Sequence, residues 1–127
     1  MVNKPRVYLY DSTLRDGAQT STVNFSAKDK VKIAKLLDGL GIDYIEGGWP
    51  GANNTDNEFF DNLPNLTKSQ FSAFGMTRRP SSSAQNDAGL NTLINSDAKS
   101  VCIVGKTWDF HLTNALNITE EENFDMI

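Results

Sequence analysis

The sequence predicts an α/β fold of parallel strands alternating with helices: the N-terminal half of a (β/α)8 TIM barrel, truncated after about four strands. Three observations predict it. Short runs rich in Val, Ile, Phe and Tyr alternate with amphipathic stretches, the pattern of parallel strands with helices packed outside them. Polar residues collect just after the strands, where a barrel carries its chemistry. No Gly-x-Gly-x-x-Gly or Walker-type loop follows the first strand, which removes the usual nucleotide reading of the competing doubly wound sheet. A complete barrel takes roughly 250 residues. The chain has 127, so residues 1–127 are expected to form the N-terminal part of one barrel domain.

Arg6 to Tyr10 reads as the first strand. After a loop, Ser26-Ala27-Lys28-Asp29 fits a capping box, in which the Ser oxygen accepts from a free first-turn amide and Asp29 answers the cap residue's own amide. The helix that follows repeats apolar residues at Ala27, Val31, Ala34 and Leu37, with Ile33 and Leu40 widening the stripe. Its lysines at 28, 30, 32 and 35 are expected mostly outside that face, and Gly39 and Gly41 are natural stops. Ile42 to Glu46 is the second strand, ending in a Gly-Gly-Trp-Pro-Gly loop. Thr55 to Glu58 offers a second capping box for a short helix through Phe59, Phe60 and Leu63, stopping near Pro64. Gln70 to Gly75 is the third strand. Ser81-Ser82-Ser83 leads into a third helix marked by Ala84, Ala88, Leu90, Leu93 and Ile94, weakened by Gly89. Ser100 to Val104 is the fourth strand, with Cys102 in its core pattern. Leu112 to Leu116 forms one helical turn, and Thr119 to Glu122 opens a last helix with a third capping box.

The charged residues gather at the strand ends. Arg15 and Asp16 stand side by side after the first strand, with Gly17 allowing a tight turn and Gln19 close behind. Glu46 ends the second strand, Thr77 and Arg78 follow the third, and Lys106 to His111 follow the fourth. A cation, a carboxylate and an amide together suit an anion or metal site. On chemistry alone a surface ion pair on an Asp-Gly turn competes equally, and Asp11 suits either a supporting role or an Asx turn. Lys plus Arg is 12 and Asp plus Glu is 16, a net charge of −4, which argues against nucleic acid as a partner. No apolar run is long enough to span a membrane, and residues 1–5 carry no secretory core. A single cysteine excludes an internal disulfide framework and points to the cytoplasm.

Asp11-Ser12-Thr13-Leu14-Arg15-Asp16-Gly17-Ala18-Gln19 resembles the signature of the metal-dependent barrels that condense or cleave acyl-CoA compounds. This family includes the 2-isopropylmalate, homocitrate and citramalate synthases and hydroxymethylglutaryl-CoA lyase. Glu46-Gly47-Gly48-Trp49-Pro50-Gly51 and Lys106 to His111 are most similar to the citramalate synthase branch. The resemblance runs from about Val7 to Ile127. It implies condensation of acetyl-CoA with a 2-oxo acid, pyruvate in that branch, followed by thioester hydrolysis. It implies Asp16 as a ligand of a divalent cation (Mg²⁺, Mn²⁺ or Zn²⁺) and Arg15 as the group facing the keto oxygen. Glu46 is expected to hold Arg15 or meet the substrate. Gln19, Thr77, Arg78 and His111 are the remaining substrate-binding candidates, Arg78 for a carboxylate or a CoA phosphate. Trp49 and Trp108 suit either the walls of the site's mouth or packing under the loops. The resemblance further implies a homodimer for the full-length protein. The family's second metal-binding element is a His-x-His pair, and this sequence has one histidine. The chain alone is therefore expected to be inactive, and its open strand edges predict marginal stability, self-association or a partner that supplies the rest.

Overall fold

The computed structural model describes residues 5–127; the expectation for the N-terminal leader falls on residues 1–4, outside that range, apart from Pro5. Four strands, β1 (Tyr10–Asp11), β2 (Tyr44–Gly48), β3 (Gln70–Met76) and β4 (Ser100–Val104), form one sheet in the order β1-β2-β3-β4. Every neighbouring pair is parallel, with Tyr10 opposite Tyr44, Tyr44 opposite Gln70 and Ser72 opposite Ser100. Between them run α1 (Ala27–Leu40), α2 (Asn54–Asp61) and α3 (Ala88–Ile94). After β4 come a short turn α4 (Asp109–His111) continued by a π-helical turn (Leu112–Leu116), and then α5 (Glu120–Met126). This is the strand-helix succession of the N-terminal part of a (β/α)8 barrel. Among the described residues no helix is long and apolar enough to cross a membrane.

The core lies between the sheet and α1 to α3. Leu14, Ala34, Ile45, Phe59 and Ala73 are fully buried there. Phe59 meets Phe60 and Phe71 edge-on, with ring centroids 5.6 and 5.5 Å apart, an arrangement aromatic quadrupoles favour. Alternation along the strands sends Ile45, Phe71 and Ala73 to this helix side and carries Glu46, Ser72 and Phe74 to the opposite face.

The capping box at Ser26 forms in both directions, and α1 ends at Gly41 with φ 85°. The amides of Gly41 and Ile42 bond back to Asp38 and Leu37. Ile42 is thereby held in the helix ending, so β2 begins at Tyr44 instead of Ile42. At its other end β2 runs on through Gly47 and Gly48, past the expected stop. A Cβ at Gly47 would lie 2.7 Å from the Phe59 ring, and one at Gly48 2.6 Å from the Asp56 carboxyl, so only glycine lets the strand pass this close to α2. The first strand is shorter than expected. Asp43 takes the Leu9 amide (2.9 Å) and pairs with Arg6, which leaves only Tyr10 and Asp11 in the ladder.

Two helix starts also differ from expectation. Asn53, not Thr55, caps α2, its Oδ1 accepting from the Asp56 amide at 2.8 Å. Asp87 caps α3 after a separate 3₁₀ turn (Ala84–Asn86), so the serines at 81–83 precede the helix without starting it. Thr119 caps α5 as expected, but Glu122 turns to Arg78 and does not close the box. Cys102 is half-buried and not core, because β4 lies at the edge of the described sheet with Val101 and Ile103 largely exposed.

Candidate active site

The loop after β1 is wound tightly around one carbonyl. Ser12 O accepts from the amides of Arg15, Asp16 and Gly17 at 3.2, 2.8 and 3.1 Å. Asp11 closes the same loop as an Asx turn, its carboxylate accepting from the amide (3.0 Å) and hydroxyl (3.1 Å) of Thr13. This winding buries Leu14 completely and turns Arg15 over the end of the sheet.

Arg15 is held from three sides. Its Nε donates to Glu46 Oε2 at 2.7 Å, and its Nη1 donates to Asp16 Oδ1 at 3.0 Å. Its guanidinium carbon lies 3.9 Å from the centre of the Phe74 ring, a cation-π contact between two largely buried groups. Trp49 also meets that ring edge-on, 5.4 Å between centroids. Among the described residues no hydrogen bond occupies Arg15 Nη2, so the guanidinium keeps donor capacity for a ligand.

Glu46 is 1% exposed, and both of its oxygens are used. Oε2 takes Arg15, and Oε1 accepts from the Tyr10 hydroxyl at 2.9 Å. The phenol also stands 3.2 Å from Ser72 Oγ. Burial raises the Tyr10 pKa above its ordinary value; the Ser72 bond opposes this, while the bond to Glu46 and its negative charge add to it. Tyr10 is therefore a neutral donor over the whole physiological range.

Asp16 lies largely in solvent, its side chain 61% exposed, with Oδ2 free of protein partners among the described residues. A hard carboxylate oxygen at a strand end suits Mg²⁺ or Mn²⁺. Among the described residues no group of three or more His, Cys, Asp or Glu side chains is placed to hold a metal.

Of the other predicted residues, Gln19 shares a cavity with Arg15, and Thr77, Arg78 and His111 stand apart from the cluster. Gln19 lines a cavity of about 360 Å³ together with Arg15, Asn24, Trp49 and Asn53. Thr77 lines a separate cleft of about 490 Å³ between Trp49, Met76 and α3. Arg78, expected to bind an anion, is 9% exposed and engaged within the protein. It pairs with Asp125 and with Glu122 (3.3 Å) and donates to Ser82 O at 2.8 Å, which anchors α5 beneath the β3–α3 loop. Its charge is thus neutralised by the fold. His111 packs its ring edge-on against Trp108 at 4.8 Å, and Trp108 stacks on Phe110, away from contact with Arg15, Asp16 or Glu46.

Several contributing residues escaped the sequence reading. Lys30 was expected outside the α1 stripe but is 3% exposed. Its Nζ donates to Gly47 O at 2.9 Å and pairs with Asp56, whose Oδ2 accepts from the Trp49 amide at 2.9 Å. The pair locks the β2–α2 loop and with it Trp49. A signal existed: Lys30 is three residues after Ala27 and four before Ala34, on the buried face. Tyr10, Ser72 and Phe74 carried none beyond strand alternation.

Residues 6–127 match the family model described as HMGL-like. The chain belongs to the HMGL-like family. Its HMGL-like relatives include an (R)-citramalate synthase of Sulfolobus acidocaldarius, 49% identical over 95% of this chain and 24% of that protein. A 2-isopropylmalate synthase 1 of Caldanaerobacter subterraneus is 36% identical over 92% of this chain and 29% of its own length. The HMG-CoA lyase structure from Bacillus subtilis superposes with a TM-score of 0.70 at 17% identity, covering 95% of this chain and 40% of that one. The chain thus spans about a quarter of the length of the curated synthases it matches.

Proposed function

We propose that the protein containing this chain condenses acetyl-CoA with pyruvate to give citramalate and CoA, serving isoleucine synthesis as a cytoplasmic acyltransferase. The observation that carries the reading is the Arg15 guanidinium, fixed on Glu46 and Phe74 with Nη2 uncommitted and Asp16 beside it. The greater identity to a citramalate synthase than to a 2-isopropylmalate synthase supports pyruvate over the larger 2-oxoisovalerate.

Arg15 faces the keto oxygen of the oxo acid. A base takes a proton from the acetyl methyl group; when the resulting carbanion attacks the keto carbon, a carbon–carbon bond forms, the carbonyl π pair moves onto that oxygen, and the alkoxide then takes up a proton. A guanidinium already in position stabilises the alkoxide without reorganising, the kind of term worth about 3–4 kcal/mol per donor. Glu46 holds Arg15 at that angle. Asp16 would hold a divalent cation, which when bound supplies Lewis-acid polarisation of the oxo acid's carbonyl. Gln19 and Thr77 are the substrate-side candidates in the cavities beside the site. Hydrolysis then adds water to the thioester carbonyl and expels the CoA thiolate, which takes up a proton. With one carboxylate donor, the 127-residue chain is expected to show no turnover alone.

The test is thiol release by the full-length protein from acetyl-CoA with Mn²⁺ or Mg²⁺, given pyruvate or 2-oxoisovalerate. Preference for pyruvate, abolished by Asp16→Ala, is expected. Preference for 2-oxoisovalerate would reassign the protein to leucine synthesis, and release with neither acid would overturn the reading.

A further inference from the structure

The face that carries Arg15 contains a second hydrogen-bonded layer, and its outermost member is Tyr10. A carboxylate that holds an arginine through one oxygen can still rotate about its last torsion, which is broad and roughly two-fold. In Glu46 that rotation is stopped. Oε1 receives the Tyr10 hydroxyl at 2.9 Å while Oε2 receives Arg15 Nε at 2.7 Å. Glu46 is almost fully buried beneath the half-exposed Tyr10, so the phenol is the donor that satisfies Oε1 in the folded protein. Tyr10 itself is fixed: its backbone pairs with Tyr44 in the ladder, and its ring stacks on the Tyr44 ring at 6.3 Å between centroids.

We infer that Tyr10 is a positioning residue for Arg15, acting through Glu46. The inference rests on the functional reading above only for its consequence in turnover, because the chain of bonds from Tyr10 to Glu46 to Arg15 stands on geometry. Removing the phenol oxygen leaves Glu46 Oε1 buried without its donor, and the carboxylate turns to recover one. Arg15 then loses its fixed angle, although none of its own atoms has changed. The burden falls on the transition state, where the developing charge must meet a guanidinium already in place, so kcat suffers more than KM for the oxo acid.

The experiment compares Tyr10→Phe with Ser72→Ala. Ser72 sits opposite Glu46 in the ladder and its Oγ lies 3.2 Å from the same phenol, but it makes no hydrogen bond to Glu46 or Arg15, so general loosening of this face would affect both variants alike. The first readout needs no turnover: hydrogen exchange of the Arg15 Nε–H by NMR on the full-length protein. Tyr10→Phe is expected to speed exchange roughly tenfold, the loss of one charge-assisted bond, with Ser72→Ala within about twofold of wild type. Equal exchange in Tyr10→Phe and wild type, or equal acceleration in both variants, overturns the inference. The second readout is steady-state kinetics of the full-length protein, where Tyr10→Phe is expected to lower kcat by about tenfold or more while KM for the oxo acid changes by less than about threefold. A rise in KM with kcat intact would also overturn it. If wild type releases no thiol, the functional reading fails and the exchange measurement still decides the role of Tyr10.

Discussion

Replacing Lys30 by methionine tests whether a buried ion pair sets the loop that walls the site. Lys30 and Asp56 are 3% and 6% exposed, so neither charge is supported by water. Methionine keeps the length of the stem and removes only the ammonium. Two interactions go with it: the bond to Gly47 O at 2.9 Å and the pairing with Asp56. Hydrogen bonds to charged groups contribute about 1.5–3 kcal/mol each. Stranding one member of a buried pair costs about 3–5 kcal/mol. The two estimates describe the same loss and agree on about 3–5 kcal/mol. Asp56 keeps the Trp49 amide and the Asn53 amide group at 2.9 and 3.0 Å, which places the expectation toward the lower end. Urea unfolding followed by Trp fluorescence and by circular dichroism measures it, with the slope checked for a constant unfolding transition. The double variant Lys30→Met with Asp56→Leu should recover part of the loss, because it leaves no unpaired charge. A loss under about 1 kcal/mol in the single variant, or a double variant worse than the sum of the singles, would refute the pairing as the element that holds the loop.

Gly48→Ala forces a Cβ to within 2.6 Å of the Asp56 carboxyl at a backbone φ of 151°, so a loss of about 2 kcal/mol or more is expected in the same urea assay. Arg15→Lys keeps the charge but cannot reproduce both the Nε bond to Glu46 and the flat contact with Phe74; thiol release by the full-length protein should fall by about 10²–10³ in kcat. Acid stability should follow Asp38, whose carboxylate accepts from the amides of Thr67, Lys68 and Ser69 and the Thr67 hydroxyl at 2.7–3.0 Å. The amide bonds, that from Thr67 foremost, hold its pKa below the usual carboxylate range, with burial opposing. A folded-state pKa below the unfolded value of about 3.9 means that its stabilisation is complete above that value and lost as pH falls through and below it. Asp87, held low by the Leu90 and Arg79 amides, acts in the same direction. Stability should therefore drop steeply below about pH 4, and Asp38→Asn should be weaker at pH 7 and flatter in acid; an unchanged acid slope would remove Asp38 from that account.

The sequence by itself determined the alternation of strands and helices, the capping of α1 by Ser26 and Asp29, and the spans of β3 and β4 to within a residue; of its two candidate stops for α1, the helix runs through Gly39 and ends at Gly41. These features depend on partners three or four positions away, or on the alternation of one strand, so they are written locally. It also put Arg15 and Asp16 in the loop after the first strand and Glu46 on the second, where the structure places it mid-strand, and the fold brings all three together through Arg15. Tertiary structure alone decided the partners that make this a built site. Tyr10 reaches Glu46 across 36 positions, Lys30 reaches Asp56 across 26, and Arg78 finds Asp125 across 47. Lys30 and Arg78 are common surface types, 3% and 9% exposed here, whose burial is stable only when an opposite charge or a hydrogen-bond partner arrives from a distant element. Arg78 illustrates the reason: an arginine after a strand reads as an anion binder until the docking of α5 supplies two carboxylates and neutralises it. Local spacing encodes where a charged residue stands on the chain, and only the packing of separate elements decides whether its charge is left for a ligand or spent on the fold.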